Sequence, residues 1–196
     1  MQGIRFERVS EEEYIKALKA NGYNPNKCLA IDEIPLPKRA TKGSAGYDIV
    51  SPVDIYLHLD YLHLDEERFP DMTYGMSSYQ YYTRPPKTFM IIPLGIRVHM
   101  PNGIVFVKVP RSGQGIKYGI NLLNSMSVID EDFYFSDNEG HIMLAIRFNG
   151  GINNERKFSL KKGERICQGL FLPYFTTEDD DADGIRNGGL GSTGTK

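Results

Sequence analysis

The sequence predicts an all-β chain, folded as a compact antiparallel sandwich or barrel. From residue 88 onward, short runs rich in Ile, Val, Phe and Thr recur. Turn-forming clusters punctuate them, as in "MPNG" (100–103) and "NGGINN" (149–154). Only one segment of the chain carries a clear helical signature, which leaves a sandwich or barrel as the consistent architecture.

That helix is expected over residues 10–21. Ser10 and Glu13 have capping-box spacing, Glu11 and Glu12 suit the positive end of the helix dipole, and Gly22 can end it. The expected strand runs are "TFMIIPLGIRVHM" (88–100), "IVFVKVP" (104–110), "MSVID" (126–130), "IMLAIRF" (142–148) and "ERICQGLFLPYF" (164–175). Two stretches break the rhythm. Residues 56–86 open with Tyr-Leu-His-Leu-Asp twice and are rich in Tyr, which reads as an insertion on the β core. Residues 176–185, "TTEDDDADGI", read as a solvated acidic linker.

At 196 residues the chain suits one domain with a real core. Its net charge of −2 argues against a nucleic-acid polymer as partner, so any bound anion must be held by a local cluster. Cys28 and Cys167 form no disulfide framework, and Cys167 is expected as a packed thiol on a buried strand. There is no apolar run of signal-peptide or membrane-spanning type, so a soluble cytoplasmic protein is the expectation.

Several short motifs carry chemistry. In "PRSGQGIKYGI" (110–120), Arg111 can fork onto phosphate oxygens, Ser112 can donate its hydroxyl, and Gly113 and Gly115 admit close backbone approach. A basic turn between strands is the alternative. In "NSMSVIDEDFYF" (124–135), Asp130 and Asp132 would share one face of an extended chain, where one can hold a water. A stabilised turn is the alternative there. "KRATKGSAGYDI" (38–49) suits a tight turn that sets Asp48 near a metal or a charge partner, or simply a structural turn. Gln168, in "KKGERICQGLF" (161–171), needs partners for its amide and so marks a polar site or a subunit contact. His58 and His63, five apart in the repeated pentapeptide, are weak evidence for a metal. The chain ends in "RNGGLGSTGTK" (186–196), a phosphate-cradling composition with no helix to follow it.

Taken in order, these pieces run as a small-residue turn ending in Asp, Pro-Arg-Ser-Gly, Ile-Asp-x-Asp-aromatic, Gly-Glu-Arg-Ile-x-Gln, and Arg with a Gly-rich end. This order resembles the five motifs of the homotrimeric dUTPases over residues 35–53 and about 88–196. The length of "FYFSDNEGHI" and the spacing in "RNGGLG" are similar to a phage and Gram-positive subgroup. The resemblance implies a distorted, jelly-roll-like antiparallel β-barrel assembled as a homotrimer, with active sites at the subunit interfaces. It divides a single domain, 1–196, into an N-terminal helical extension (1–30), the insertion (56–86) and a flexible C-terminal arm (184–196).

The resemblance also implies a reaction, in which dUTP and water give dUMP and pyrophosphate. Asp130 matches the general base that activates the water attacking the α-phosphorus, and Mg²⁺ would bridge phosphate oxygens while keeping several waters. Arg111, Ser112 and Gly113 would grip phosphates from one subunit and Gln168 from another. Asp48 would be a structural or outer-sphere carboxylate near the metal. Asn124, Ile129 and Phe133 would meet uracil and deoxyribose, with Phe133 where relatives usually carry Tyr. Arg186, Ser192 and Thr193 would close over the phosphates as a lid, with Leu190 where many relatives stack a Phe on uracil. The related dCTP deaminases use a glutamate where Ala145 aligns, which disfavours deamination. Tyr56, Tyr61, Tyr74, Tyr79, Tyr81 and Tyr82 leave a protein partner for the insertion as a further expectation, beside packing against the core.

Overall fold

The computed structural model describes residues 3–59, 62–63, 83–84, 87–152 and 154–188, and there the chain is mostly strand with a few short helices. The first elements are β1 (Arg5–Arg8), α1 (Glu11–Ala20), β2 (Lys38–Arg39), β3 (Tyr47–Val50) and β4 (Ile55–His58). Next come the short β5 (Leu62–His63) and β6 (Thr83–Arg84), then β7 (Phe89–Pro93), β8 (Ile96–His99) and β9 (Ile104–Pro110). After α2 (Ser112–Tyr118) follow β10 (Ile120–Leu122), β11 (Ser127–Ile129), a 3₁₀ turn (Glu131–Phe135), β12 (Met143–Phe148), β13 (Lys157–Leu160) and β14 (Arg165–Pro173).

All named strand pairs are antiparallel. A five-stranded sheet has the order β11-β9-β14-β3-β2, and a three-stranded sheet the order β10-β12-β7. Pairs β1-β8, β13-β4 and β5-β6 complete the set. One core joins the two larger sheets with the pairs β1-β8 and β13-β4. Ile49, Phe106 and Cys167 come from the larger sheet, Ile92, Leu144 and Phe148 from the smaller, and Leu57, Val98 and Phe158 from the pairs. Fully burying one such side chain stabilises the fold by roughly 1.5–3 kcal/mol before entropy is counted.

Strand β9 is covered on both faces, since Phe106, Val107 and Lys108 are buried in succession. Phe106 lies against Gly169 on β14, where an added Cβ would come within 1.9 Å of the ring. The glycine thereby makes room for an aromatic cluster of Phe6, Tyr47, Phe106 and Phe171. Lys108 donates to the carbonyl of Met143, and burial lowers its pKa to about 8. Neighbouring Cys167 is buried, and its thiol is pushed up to about 12 and kept neutral.

The structure revises several expectations. Helix α1 starts as the sequence predicts, with Ser10 Oγ accepting the Glu13 N–H at 3.1 Å. The return half of the capping box is absent. Ser10 N–H instead donates to Glu139 at 2.8 Å, and Glu13 turns inward towards His141. The extension at 1–30 is not only helical, because β1 pairs with β8 and enters the β framework. The run 88–100 is two strands, broken at Leu94 and Gly95, where Gly95 takes φ +68°, a conformation that favours glycine. The Arg-Ser-Gly stretch is a short helix, α2, and not a bare turn. Strands β1–β4, β10 and β13 carry too few residues for clear alternation and were not anticipated.

The range 56–86 also begins too early, since Tyr56, Leu57 and His58 belong to β4 and pair with β13. His58 is buried beside Tyr56, so it offers no open metal ligand there. Most of the Tyr-rich stretch, including Tyr61, Tyr74, Tyr79, Tyr81 and Tyr82, lies outside the described residues. Among those described, no helix is long and apolar enough to cross a membrane.

Candidate active site

The residues singled out by the sequence gather in two recesses. The larger, about 600 Å³, is bordered by Asp48, Arg111, Ser112, Gly113, Arg165 and Gln168. Arg111 caps the start of α2, and its Nε lies 3.2 Å from Asp48 Oδ1. The other carboxylate oxygen, Oδ2, accepts from Arg165 Nη1 at 2.9 Å. Asp48 therefore serves as a charge partner of two arginines, which aligns both guanidinium groups along one wall. Gln168 faces Asp48 across β14 and β3 and lies over Gly46, where a Cβ would be 2.5 Å from its Oε1. Gly46, in the small-residue turn before Asp48, leaves room for that amide.

Two of these placements differ from expectation. Gln168 shares its recess with Arg111 of the same chain, where a second subunit was expected to supply it. Arg165 was not among the expected site residues. Residues three apart on a regular strand face opposite ways, but β14 is irregular between Arg165 and Cys167, and the shift in parity brings Arg165 and Gln168 to one recess. The only hint in the sequence was its place in "GERICQG" (163–169).

The smaller recess, about 290 Å³, is bordered by Asn124, Ile129, Asp130, Phe133, Ala145 and Arg186 among others. Asp130 follows β11 and caps the 3₁₀ turn, whose Phe133 N–H returns to Asp130 O at 3.2 Å. The segment is thus not extended. Phe133 is buried in the floor, and Asn124 lies exposed in the turn after β10. The alanine at 145 presents a methyl group where a deaminase-like reading would need a carboxylate. Arg186 Nη2 lies 2.5 Å from Asp130 Oδ2, and its Nε lies 2.8 Å from Asp132 Oδ1. The two aspartates are therefore brought together not by the face of an extended segment but by a guanidinium from the start of the C-terminal arm. Leu190, Ser192 and Thr193 lie outside the described residues.

His141 also borders this recess and is fully buried. Its Nε2 accepts from the Gly95 N–H at 2.9 Å, so the ring proton resides on Nδ1, 3.3 Å from Glu13 Oε1. Burial lowers its pKa against the opposing pull of the Glu13 and Glu139 carboxylates. The Tyr14 ring stands 6.3 Å away and Lys16 reaches Glu13 from the same helix. A depressed folded-state pKa means that this stabilisation is complete above the unfolded value and is lost as pH falls through the folded one. Calorimetry between about pH 6.5 and 5.5 should then show Tm declining more steeply in the wild type than in His141→Gln. Equal slopes would assign the acid sensitivity to other groups.

The family model described as dUTPase matches residues 67–195. Deoxyuridine 5'-triphosphate nucleotidohydrolase of Lactococcus lactis is 32% identical over 164 residues, covering 82% of this chain and 89% of its own. Its counterpart in Hahella chejuensis is 34% identical over 175 residues, covering 84% and 90%. Among solved structures, the Streptococcus mutans dUTPase superposes with a TM-score of 0.54 at 25% identity, covering 90% of this chain and 99% of that one. A dUTPase mutant from phage phi11 of Staphylococcus aureus, which coordinates a structural Mg(II) ion, shares the fold at 15% identity, TM-score 0.53, covering 93% and 98%. The staphylococcal phage 80alpha dUTPase, solved with dUPNHPP, shares it at 19%, TM-score 0.52, covering the whole of both chains.

Proposed function

Because the chain belongs to the dUTPase family and hydrolyses dUTP, we propose that its active site forms between subunits of a homotrimer, with Asp130 as general base. The observation that carries this reading is the separation of the two recesses. Arg111, Ser112, Gly113 and Gln168 border one, while Asn124, Ile129, Asp130 and Phe133 border the other. Neither holds both the phosphate grip and the base, and association of chains brings the two sets together.

In this reading the smaller recess takes deoxyuridine. Asn124 and the backbone of its turn meet the polar edge of uracil, where cytosine would leave buried groups unpaired. The ring of Phe133 packs under the sugar and excludes a ribose 2′-hydroxyl by bulk. Asp130 takes a proton from the water that attacks the α-phosphorus, and the bond to pyrophosphate breaks. Arg111, the Ser112 hydroxyl and the N–H groups of the first turn of α2 hold phosphate oxygens, with Gln168 beside them. Asp48 orients Arg111 and Arg165. Arg186 leaves the two aspartates for the outer phosphates as the arm closes, and Ser192 and Thr193 follow it while Leu190 covers uracil. Positioning and charge neutralisation supply most of the acceleration.

Among the described residues no group of three acidic, His or Cys side chains stands ready to hold a metal. Mg²⁺ would enter with the substrate and would supply charge neutralisation at its phosphates. Cys28 and Cys167 are free and buried, which suits a reducing compartment, and the cytoplasm of a bacterium or phage-infected cell is part of the proposal.

Mixed trimers test the shared site. Asp130→Asn and Arg111→Ala chains, each nearly inactive alone, should regain dUTP hydrolysis when unfolded together and reassembled. Light scattering should report a trimer throughout. A mixture no more active than its parents, or a strictly monomeric particle, would place the whole site within one chain.

A further inference from the structure

The loop that carries the proposed base is held from outside by the N-terminal segment. From β1, Glu7 Oε2 accepts from the Tyr134 hydroxyl at 2.7 Å and meets Arg97 Nη2 at 2.9 Å. The Arg97 guanidinium lies 4.5 Å over the Tyr134 ring. At the start of α1, Ser10 donates its N–H and its hydroxyl to the two oxygens of Glu139, at 2.8 and 2.6 Å. One turn on, Glu13 meets His141 at 3.3 Å. Three points of the loop 130–141 are thus tied to residues 7–13, a stretch that precedes the family match.

The loop itself is compact and strained. Glu139 takes φ +58°, a left-handed conformation costly for a residue with a Cβ, and Gly140 follows at +69°. At Gly140 an added Cβ would stand 2.8 Å from Tyr134 Cα, so the returning chain rests on the turn that Asp130 caps. The carboxylate that the Ser10 pair grips is the side chain of the strained residue itself. Strain of this kind persists where surrounding contacts over-determine it, and the contacts here come from β1 and α1.

We propose that residues 7–13 act as a positioning brace for the Asp130 loop, setting turnover through Tyr134 and Glu139 without touching substrate. The inference rests on Asp130 as the general base. It gives α1 a task in catalysis beyond covering the core. Displacing a catalytic carboxylate by about 1 Å costs up to about 100-fold, so small slack in the loop is read out strongly.

Steady-state kinetics of Tyr134→Phe, Ser10→Ala, Glu139→Ala and Glu139→Gln test it on the full chain with Mg²⁺. The first three should lower kcat by about 10- to 100-fold with KM for dUTP within about twofold, because the binding groups are untouched. Glu139→Gln, whose amide oxygen still accepts from Ser10, should recover most of the loss. If Tyr134→Phe fails to fold, Glu7→Gln reads the same contact from the other side, and Ser10→Ala does so for Glu139→Ala. Unchanged kcat with a lowered Tm would overturn the brace and leave these contacts as stabilisers of the fold. A rise in KM at constant kcat would overturn it too. An active Asp130→Asn control would instead overturn the assignment of the base, which keeps the two failures apart.

Discussion

Asp130→Asn should lower kcat for dUTP by roughly 10²–10⁴-fold, the usual contribution of a positioned general base, while KM should stay near the wild-type value. The substitution is nearly isosteric. The amide oxygen can still accept from Arg186, whose Nη2 lies 2.5 Å from the carboxylate, so the loop and the start of the arm should keep their places. What is removed is the capacity to take a proton from water. The pair is partly exposed, and such pairs contribute only about 0–1 kcal/mol, so melting should move little. Rapid-quench measurement of pyrophosphate release, beside equilibrium binding of a non-hydrolysable analogue, separates the two quantities. Retained turnover with intact binding would remove Asp130 from the chemistry.

The second large effect is expected at Arg186. Arg186→Ala should reduce kcat/KM by about 10²–10³-fold, the cost of losing one strong donor to charge that develops in the transition state. In the free chain this guanidinium bridges Asp130 and Asp132, at 2.5 and 2.8 Å, from an arm segment that also returns the Asn187 carbonyl to the Asp137 N–H. Triphosphate offers the same guanidinium more negative charge than two half-exposed carboxylates do, so substrate can draw it away and free Asp130 in the same movement. Arg186→Lys keeps the charge but loses the planar fork, and should recover only part of the rate. An Arg186→Ala enzyme with wild-type kcat/KM would show that the arm does not reach the phosphates.

Much of the fold was legible where the signal is local. The cap at Ser10, the acidic first turn of α1 and the apolar runs of β12 and β14 are written in neighbouring residues, and the elements appear within a residue or two of the expected places. Strands of only four residues, such as β1 and β3, are set by pairing with distant partners and left no comparable trace. The capping box shows the limit well. Ser10 and Glu13 have the right spacing, yet Glu139, 129 positions from Ser10, takes the bond that Glu13 was expected to make.

The order of motifs along the chain determined by itself the family, the reaction and the residues to examine, because each motif is a short string whose chemistry depends on residue type and spacing. Only the tertiary structure decided how those residues divide. It placed Arg165 beside Gln168 through an irregular strand, set Asp48 between two arginines, and brought Arg186 onto the aspartates. These arrangements depend on strand register and on contacts between residues far apart in the chain, and a one-residue shift of a strand exchanges its faces. No local pattern of side chains carries that information.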